Sequence, residues 1–188
     1  MKHIKQLSFT EFELDIRINP EDKKDLSECG LFFEGEGQRI IDLNRSSEFI
    51  STIPKGKYTL YKTGGTHRLD KFSDRKDFPF IVNNLTNKIV VIRYSKGAYP
   101  VIDLYKNLKE GNTPTNRKTI SIHRLVAMAF IENPRVDTLN LVDHINEDKH
   151  DYCVSNLRWT NNSMNMKDVK NTAKNNKHKT KVWVSSYE

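Results

Sequence analysis

Apolar positions in this chain first recur at every second residue. In Phe9-Thr10-Glu11-Phe12-Glu13-Leu14-Asp15-Ile16, the side chains of Phe12, Leu14 and Ile16 fall on one face of an extended segment, which predicts a strand. A short helix is expected after Asn19-Pro20, because proline suits a first helical position and Glu21 and Asp22 suit the positive helix end. Gly35 and Gly37 then mark a turn. From Lys57 the text alternates strand and turn. Strands are predicted at Lys57 to Lys62, Phe78 to Val82, Lys88 to Tyr94, Tyr99 to Tyr105 and Lys118 to Ile122. Thr63-Gly64-Gly65-Thr66, the asparagines Asn83, Asn84 and Asn87, and the Gly/Pro loop Lys109 to Asn116 punctuate them.

The period changes at His123 to Pro134. Leu125, Val126, Ala129 and Phe130 lie at helical spacing, and Asn133-Pro134 ends the run. A strand-turn-strand-helix unit follows: Leu139 to Ile145, the polar turn Asn146 to Lys149, Ser155 to Thr160 with Leu157 and Trp159 inward, and a helix over Met164 to Lys174. Asn161 or Asn162 would cap that helix through its carboxamide oxygen. Lys181 to Ser185 reads as a last short strand with Trp183 on a buried face. The fold class is therefore α+β, with mostly antiparallel strands before the strand-turn-strand-helix unit.

Charge divides this order. The net charge is +7 over 188 residues, yet residues 1–50 carry −4, residues 51–142 carry +9 and residues 143–188 carry +2. Such a basic middle suits a polyanionic partner. It also suggests four parts: an acidic segment 1–50, a basic strand-rich region 51–117, a core 118–175 and a basic tail 176–188. No run approaches the length of a membrane span, and the start lacks the apolar centre of a secretory signal, so no membrane partner is expected. Cys29 and Cys153 stand outside C-x-x-C pairs, which disfavours a zinc knuckle or disulfide framework and suits a reducing cytoplasm.

The candidate chemistry lies in Val142 to Met166. Asp143 and His144 sit near the end of a predicted strand, on nominally opposite faces, and Asn165 sits in the first turn of the following helix. An Asp carboxylate and an Asn carboxamide are hard oxygen donors suited to one Mg²⁺ or Mn²⁺, leaving positions for water and a phosphate oxygen. His144, beside such an ion but not bound to it, would accept the proton of an attacking water. Taken singly, these residues have ordinary roles as turn former, packed histidine and helix cap; their joint spacing is what points to phosphodiester hydrolysis. His123 and Arg124 open the preceding helix as surface caps or phosphate contacts. Lys167, Lys170 and Lys174 continue into Lys177, Lys179 and Lys181, opposed only by Asp168, as a solvated face or a phosphate track. Arg68, Lys71, Arg75 and Lys76, with Phe72 and Phe78, make a further basic and aromatic patch, read either as a grip on DNA or as a loop over a hydrophobic edge.

Three blocks together, His123-Arg124-Leu125-Val126-Ala127 through Asn133-Pro134, Val142-Asp143-His144-Ile145, and Val154-Ser155-Asn156-Leu157-Arg158-Trp159 with Asn162 to Met166, resemble the HNH endonucleases, in particular their phage and intron-encoded homing branch. Eleven residues separate His144 from Asn156, and eight separate Asn156 from Asn165. The resemblance covers roughly Ile81 to Val169. It implies a ββα-metal nuclease core in which Asp143 and Asn165 hold one divalent ion, His144 is the general base, and Asn156 holds the connecting loop and thereby the histidine. It implies double-stranded DNA as substrate, nicking by a monomer, and a phage or mobile element acting in a bacterial cytoplasm. A homodimer, or a protein partner bound through residues 1–50, stays open, as do an inactive DNA-binding module and a role in phage defence, packaging or repair. Glu147 stands where the family commonly has glycine, and Arg158 where the branch often has an acid. The helix-turn-helix module that often follows the core is not seen, so target recognition is expected from residues before Ile122 or from the basic helix and tail.

Overall fold

The computed structural model describes residues 20–94, 98–106 and 116–164. The helix expected after Asn19-Pro20 is one 3-10 turn, Pro20–Asp22, which leads into strand β1, Lys23–Asp25. β1 begins an antiparallel sheet of order β1-β2-β3-β4, with β2 at Tyr58–Gly65, β3 at Phe78–Asn83 and β4 at Lys88–Ile89. A second antiparallel sheet holds β5, Ile92–Arg93, β6, Val101–Tyr105, and β7, Arg117–Ser121. The third is the ribbon of β8, Leu141–His144, and β9, Leu157–Thr160. Helix α1 spans Gln38–Ser51 and α2 spans Ile122–Phe130. Among the described residues no helix is long and apolar enough to cross a membrane.

Three elements correct the pattern reading. Gly37 does not merely turn the chain; at φ 107° it opens α1. Ile40, Leu43, Ser47 and Ile50 form the buried stripe of that helix, a spacing of three and four residues that gives one helical face. The turn expected at Thr63 to Thr66 is the irregular end of β2, where the register with β3 shifts between Tyr61 and Gly65. A Cβ on Gly65 would lie 2.6 Å from the Phe78 carbonyl oxygen, so only glycine lets the strands approach there. The single strand expected over Lys88 to Tyr94 is split between two sheets, with the side chain of Val91 61% exposed at the break. The expected strands Phe9 to Ile16 and Lys181 to Ser185 lie outside the described residues, as does the helix from Asn165 onward.

α2 ends at Phe130, short of Pro134, because Ile131 turns extended at φ −117° and ψ 114°. The carbonyl released there is taken by the Trp159 indole, whose Nε1–H donates to Ile131 O at 2.9 Å. The main core gathers Leu26, Ile50, Leu60, Phe78, Ile102, Leu104, Ile122, Leu125, Tyr152 and Leu157 from all three sheets and both helices. Burying each such aliphatic side chain contributes about 1.5–3 kcal/mol. A smaller cluster of Phe33, Ile40, Leu43, Ala127, Leu139 and Trp159 packs α1 onto α2 and the ribbon. Ser51, where the charge changes sign, is the last residue of α1, and core residues lie on both sides of it. Cys29 and Cys153 are buried free thiols.

Candidate functional site

The ribbon sets the geometry. Asp143 pairs across it with Arg158, and His144 pairs with Leu157, so the first pair shares one face and the second the other. His144 is the last residue of β8 and is 5% exposed. Its ring lies 5.0 Å from that of His123, at the start of α2, and stacks under Tyr99 at 5.7 Å and 23°. Tyr99 also covers His123 at 4.6 Å. His144 Nε2 and His123 Nδ1 are buried with no hydrogen-bond partner among the described residues. Burial lowers the His144 pKa against the raising pull of Asp143, Asp148 and Asp151. Burial also drives His123 well below the usual histidine range, with His144 and Arg124 adding to the effect. His123, expected as a cap or a phosphate contact, is thus a packed neighbour of His144 with 3% exposure.

From His144 to Leu157 the chain makes a loop that is locked by side-chain amides. Glu147 takes the positive φ of 63° at the position where the family commonly has glycine, and its N–H donates to His144 O at 2.9 Å. Asn156 Nδ2 donates to Asn146 Oδ1 at 2.9 Å and to Asp151 O at 2.8 Å, and its Oδ1 accepts from Asn146 N at 3.0 Å. Its backbone carbonyl accepts from Ile145 N at 2.8 Å. Asn146 Nδ2 in turn donates to Asp151 Oδ2 at 2.9 Å. A carboxamide, carrying donor and acceptor together, is the side chain that can close this ring of bonds.

The loop is clasped from upstream. Arg75 donates to the buried Asp151 at 2.8 Å, to both oxygens of Asp77 at 3.0 and 2.9 Å, and to Cys153 Sγ at 3.1 Å. These bonds hold its guanidinium charged and pull Asp77 below the usual carboxylate range. Arg75, from the basic and aromatic patch, thus ties the loop to the upstream strands while its side chain stays 36% exposed, and Asp151, at 3% exposure, gains the cation a buried carboxylate requires. Lys71 pairs with Asp148. Burial would raise the Asp148 pKa, and the hydrogen bonds from Lys71 and His150 N–H reverse that and lower it. Arg68 stays exposed. His67, buried among Phe72, Phe78, Tyr94 and Tyr152, donates from Nε2 to His150 O at 3.0 Å and accepts at Nδ1 from Leu69 N at 3.0 Å.

Next to the ribbon the structure adds a residue that the pattern reading passed over. Arg39, in α1, donates to Asn162 Oδ1 at 3.0 Å where the last helix begins. Arg124 is half-buried, and its pKa is lowered first by burial and then by the charge of Arg39. Two cations from distant parts of the chain thus stand near each other, with Arg39 bonded at the helix start. No sequence signal marks Arg39 for this place, since its partner is 123 positions away. Of the two candidate caps, Asn161 fills the role: its Oδ1 accepts from Met164 N at 2.9 Å. Asn165, Lys167, Lys170 and Lys174 lie outside the described residues.

Asp143, the carboxylate expected to hold a cation, is held by Arg158 through two bonds to one oxygen, from Nε at 3.0 Å and Nη2 at 2.7 Å. No group of three or more His, Cys, Asp or Glu among the described residues could hold a metal ion. A carboxylate that leaves positions for water and phosphate fits a hard cation of the Mg²⁺ class better than a closed protein cage would.

Ribbon, locked loop and helix start, carrying Asp143-His144 and Asn156 in that order, form the arrangement that the resemblance to HNH endonucleases implies. No family model matches the chain. Two proteins of Acanthamoeba polyphaga mimivirus do: the uncharacterized HNH endonuclease L245, 35% identical over 104 residues, and the uncharacterized HNH endonuclease L247, 33% identical over 85 residues. They share 51% and 45% of this chain, which spans 31% and 20% of their lengths. A solved structure described as "DNA binding and cleavage by the HNH homing endonuclease I-HmuI" is 25% identical over 63% of this chain and 55% of that one, with a TM-score of 0.47. The chain is thus similar to part of two viral proteins named as HNH endonucleases, and it spans less than a third of the length of either.

Proposed function

We propose that this chain is a divalent-metal-dependent DNA endonuclease that hydrolyses one phosphodiester bond at a time. The observation that carries this reading is the Asn156-locked loop, which fixes His144 at the end of β8 beside Asp143. His144 Nε2 has no hydrogen-bond partner among the described residues, which leaves a ring nitrogen uncommitted for taking a proton. Its lowered pKa keeps the ring neutral near pH 7, the state a general base requires. In the reaction, the proton of a water passes to His144, the water oxygen bonds to phosphorus, and the bond to the leaving oxygen breaks. A cation held by Asp143, with Asn165 as the second donor, would stabilise the charge that builds on the phosphate and leaving oxygens. Tyr99, 41% exposed over His144, Arg124 and Arg39 would orient the strand.

One such site attends to one strand, so nicking is the product of a monomer. The viral origin of the two relatives supports a viral or mobile-element setting, in a reducing cytoplasm that keeps both thiols free. A second reading, a DNA-binding module whose nuclease site has lapsed, draws on the Asp143–Arg158 pair. A supercoiled-plasmid assay at low salt separates the two, using wild type and His144→Ala with Mg²⁺, Mn²⁺ or a chelator. The nuclease reading expects metal-dependent nicked circles from wild type alone. DNA shifted in a gel by both proteins, with no cutting under any condition, favours the binding module.

A further inference from the structure

Arg158 stands across the ribbon from Asp143. Its Nε and Nη2 both donate to Asp143 Oδ2, at 3.0 and 2.7 Å. A guanidinium there opposes a cation twice, by occupying a donor oxygen and by placing positive charge beside the ion. The pair is not sealed, however. The Arg158 side chain is 44% exposed and the Asp143 side chain 22%, so a polyanion can reach the guanidinium from solvent. A phosphate offers it the same planar, two-bond recognition as a carboxylate. An exposed ion pair is held by at most about 1 kcal/mol, so exchange of one anion for another is open to it.

We propose that Arg158 closes Asp143 to divalent cations in the free protein and passes to a DNA phosphate when the duplex docks, so that metal binding is linked to substrate binding. This rests on the reading of Asp143 as a cation donor. In that arrangement Arg158 touches the substrate strand, and the free protein carries a site with weak affinity for metal.

The test measures Mn²⁺ binding to the full chain without DNA, by electron paramagnetic resonance of free Mn²⁺, for wild type, Arg158→Gln and Asp143→Asn. The proposal expects Arg158→Gln to bind Mn²⁺ about tenfold more tightly than wild type, a gain of about 1.4 kcal/mol. Asp143→Asn should bind more weakly than either. In a second arm with a chelator present, fluorescence anisotropy on a short labelled duplex should show weaker binding by Arg158→Gln, with a salt slope smaller by about one. Arg158→Met keeps the aliphatic stem and repeats both arms if the Gln variant fails to fold. Equal Mn²⁺ affinity in wild type and the Arg158 variants, with Asp143→Asn weaker, overturns the proposal but leaves Asp143 a donor. Equal affinity in Asp143→Asn and wild type removes the donor reading itself, and the proposal with it. Tighter Mn²⁺ binding with unchanged DNA affinity and salt slope overturns the transfer to phosphate.

Discussion

Asn156 uses its side-chain oxygen and both amide hydrogens within the loop, at 9% exposure. Asn156→Ala leaves Asn146 N–H, Asn146 Oδ1 and Asp151 O without these partners, and should cost about 2–4 kcal/mol in urea unfolding as well as abolishing nicking. Asn156→Asp keeps the acceptor and loses both donors, so it should recover only part of that stability. His67 has the opposite sensitivity, to acid. Its two nitrogens are satisfied only in the neutral ring, because protonated Nδ1 cannot accept from Leu69 N–H. Burial is the main cause that lowers its pKa from 6.5 to about 4. The unfolded chain therefore takes up a proton that the folded chain refuses between those values. Stability should fall by up to about 3 kcal/mol as pH drops through that window, and should not change from this source above it. Unfolding curves at about pH 7.5 and about pH 4.5 should show a larger acid loss in wild type than in His67→Gln. At this scale the sequence spacing already marked Asp143, His144 and Asn156, since they are close in the chain. Arg39 took its meaning from a partner 123 positions away, which spacing does not report, and the Arg158 bond to Asp143 follows from the ribbon's register.

Elements built from strong periodicity were legible: α2, the ribbon and most strands of the two larger sheets fall where alternation and helical spacing predict them. α1 was not, because Gly35 and Gly37 draw the eye to a turn and the helix behind them shows a thin apolar stripe broken by the small Ser47. That stripe is nevertheless what joins α1 to the ribbon. Leu43, 4% exposed in the cluster with Trp159, should cost about 2–5 kcal/mol when cut to alanine, measured as a shift of the urea midpoint. Gly65 and the split of β4 from β5 were hidden for a different reason. Both are set by how one sheet meets its neighbour, and a residue pattern along one strand carries no record of that contact.

For the whole molecule, the charge profile along the sequence and the charge profile in space differ. The acidic first segment contributes Arg39, which bonds at the start of the last helix and stands near Arg124. If this face follows a DNA backbone, Arg39→Ala and Arg124→Ala should each lower the salt slope of duplex binding by about one and weaken affinity without regard to sequence. An unchanged slope in both would move the DNA elsewhere. The clasp of Arg75 and His67 on the loop bears on another matter, the portability of the core. A fragment cut at Lys118 would keep all three sequence blocks that carry the resemblance. It would also carry Asp151 without its arginine, and Tyr152 without Phe78 and Tyr94 around it. Grafting the ribbon and its loop onto another protein would therefore have to bring the strands before them, since the loop borrows its rigidity from those strands.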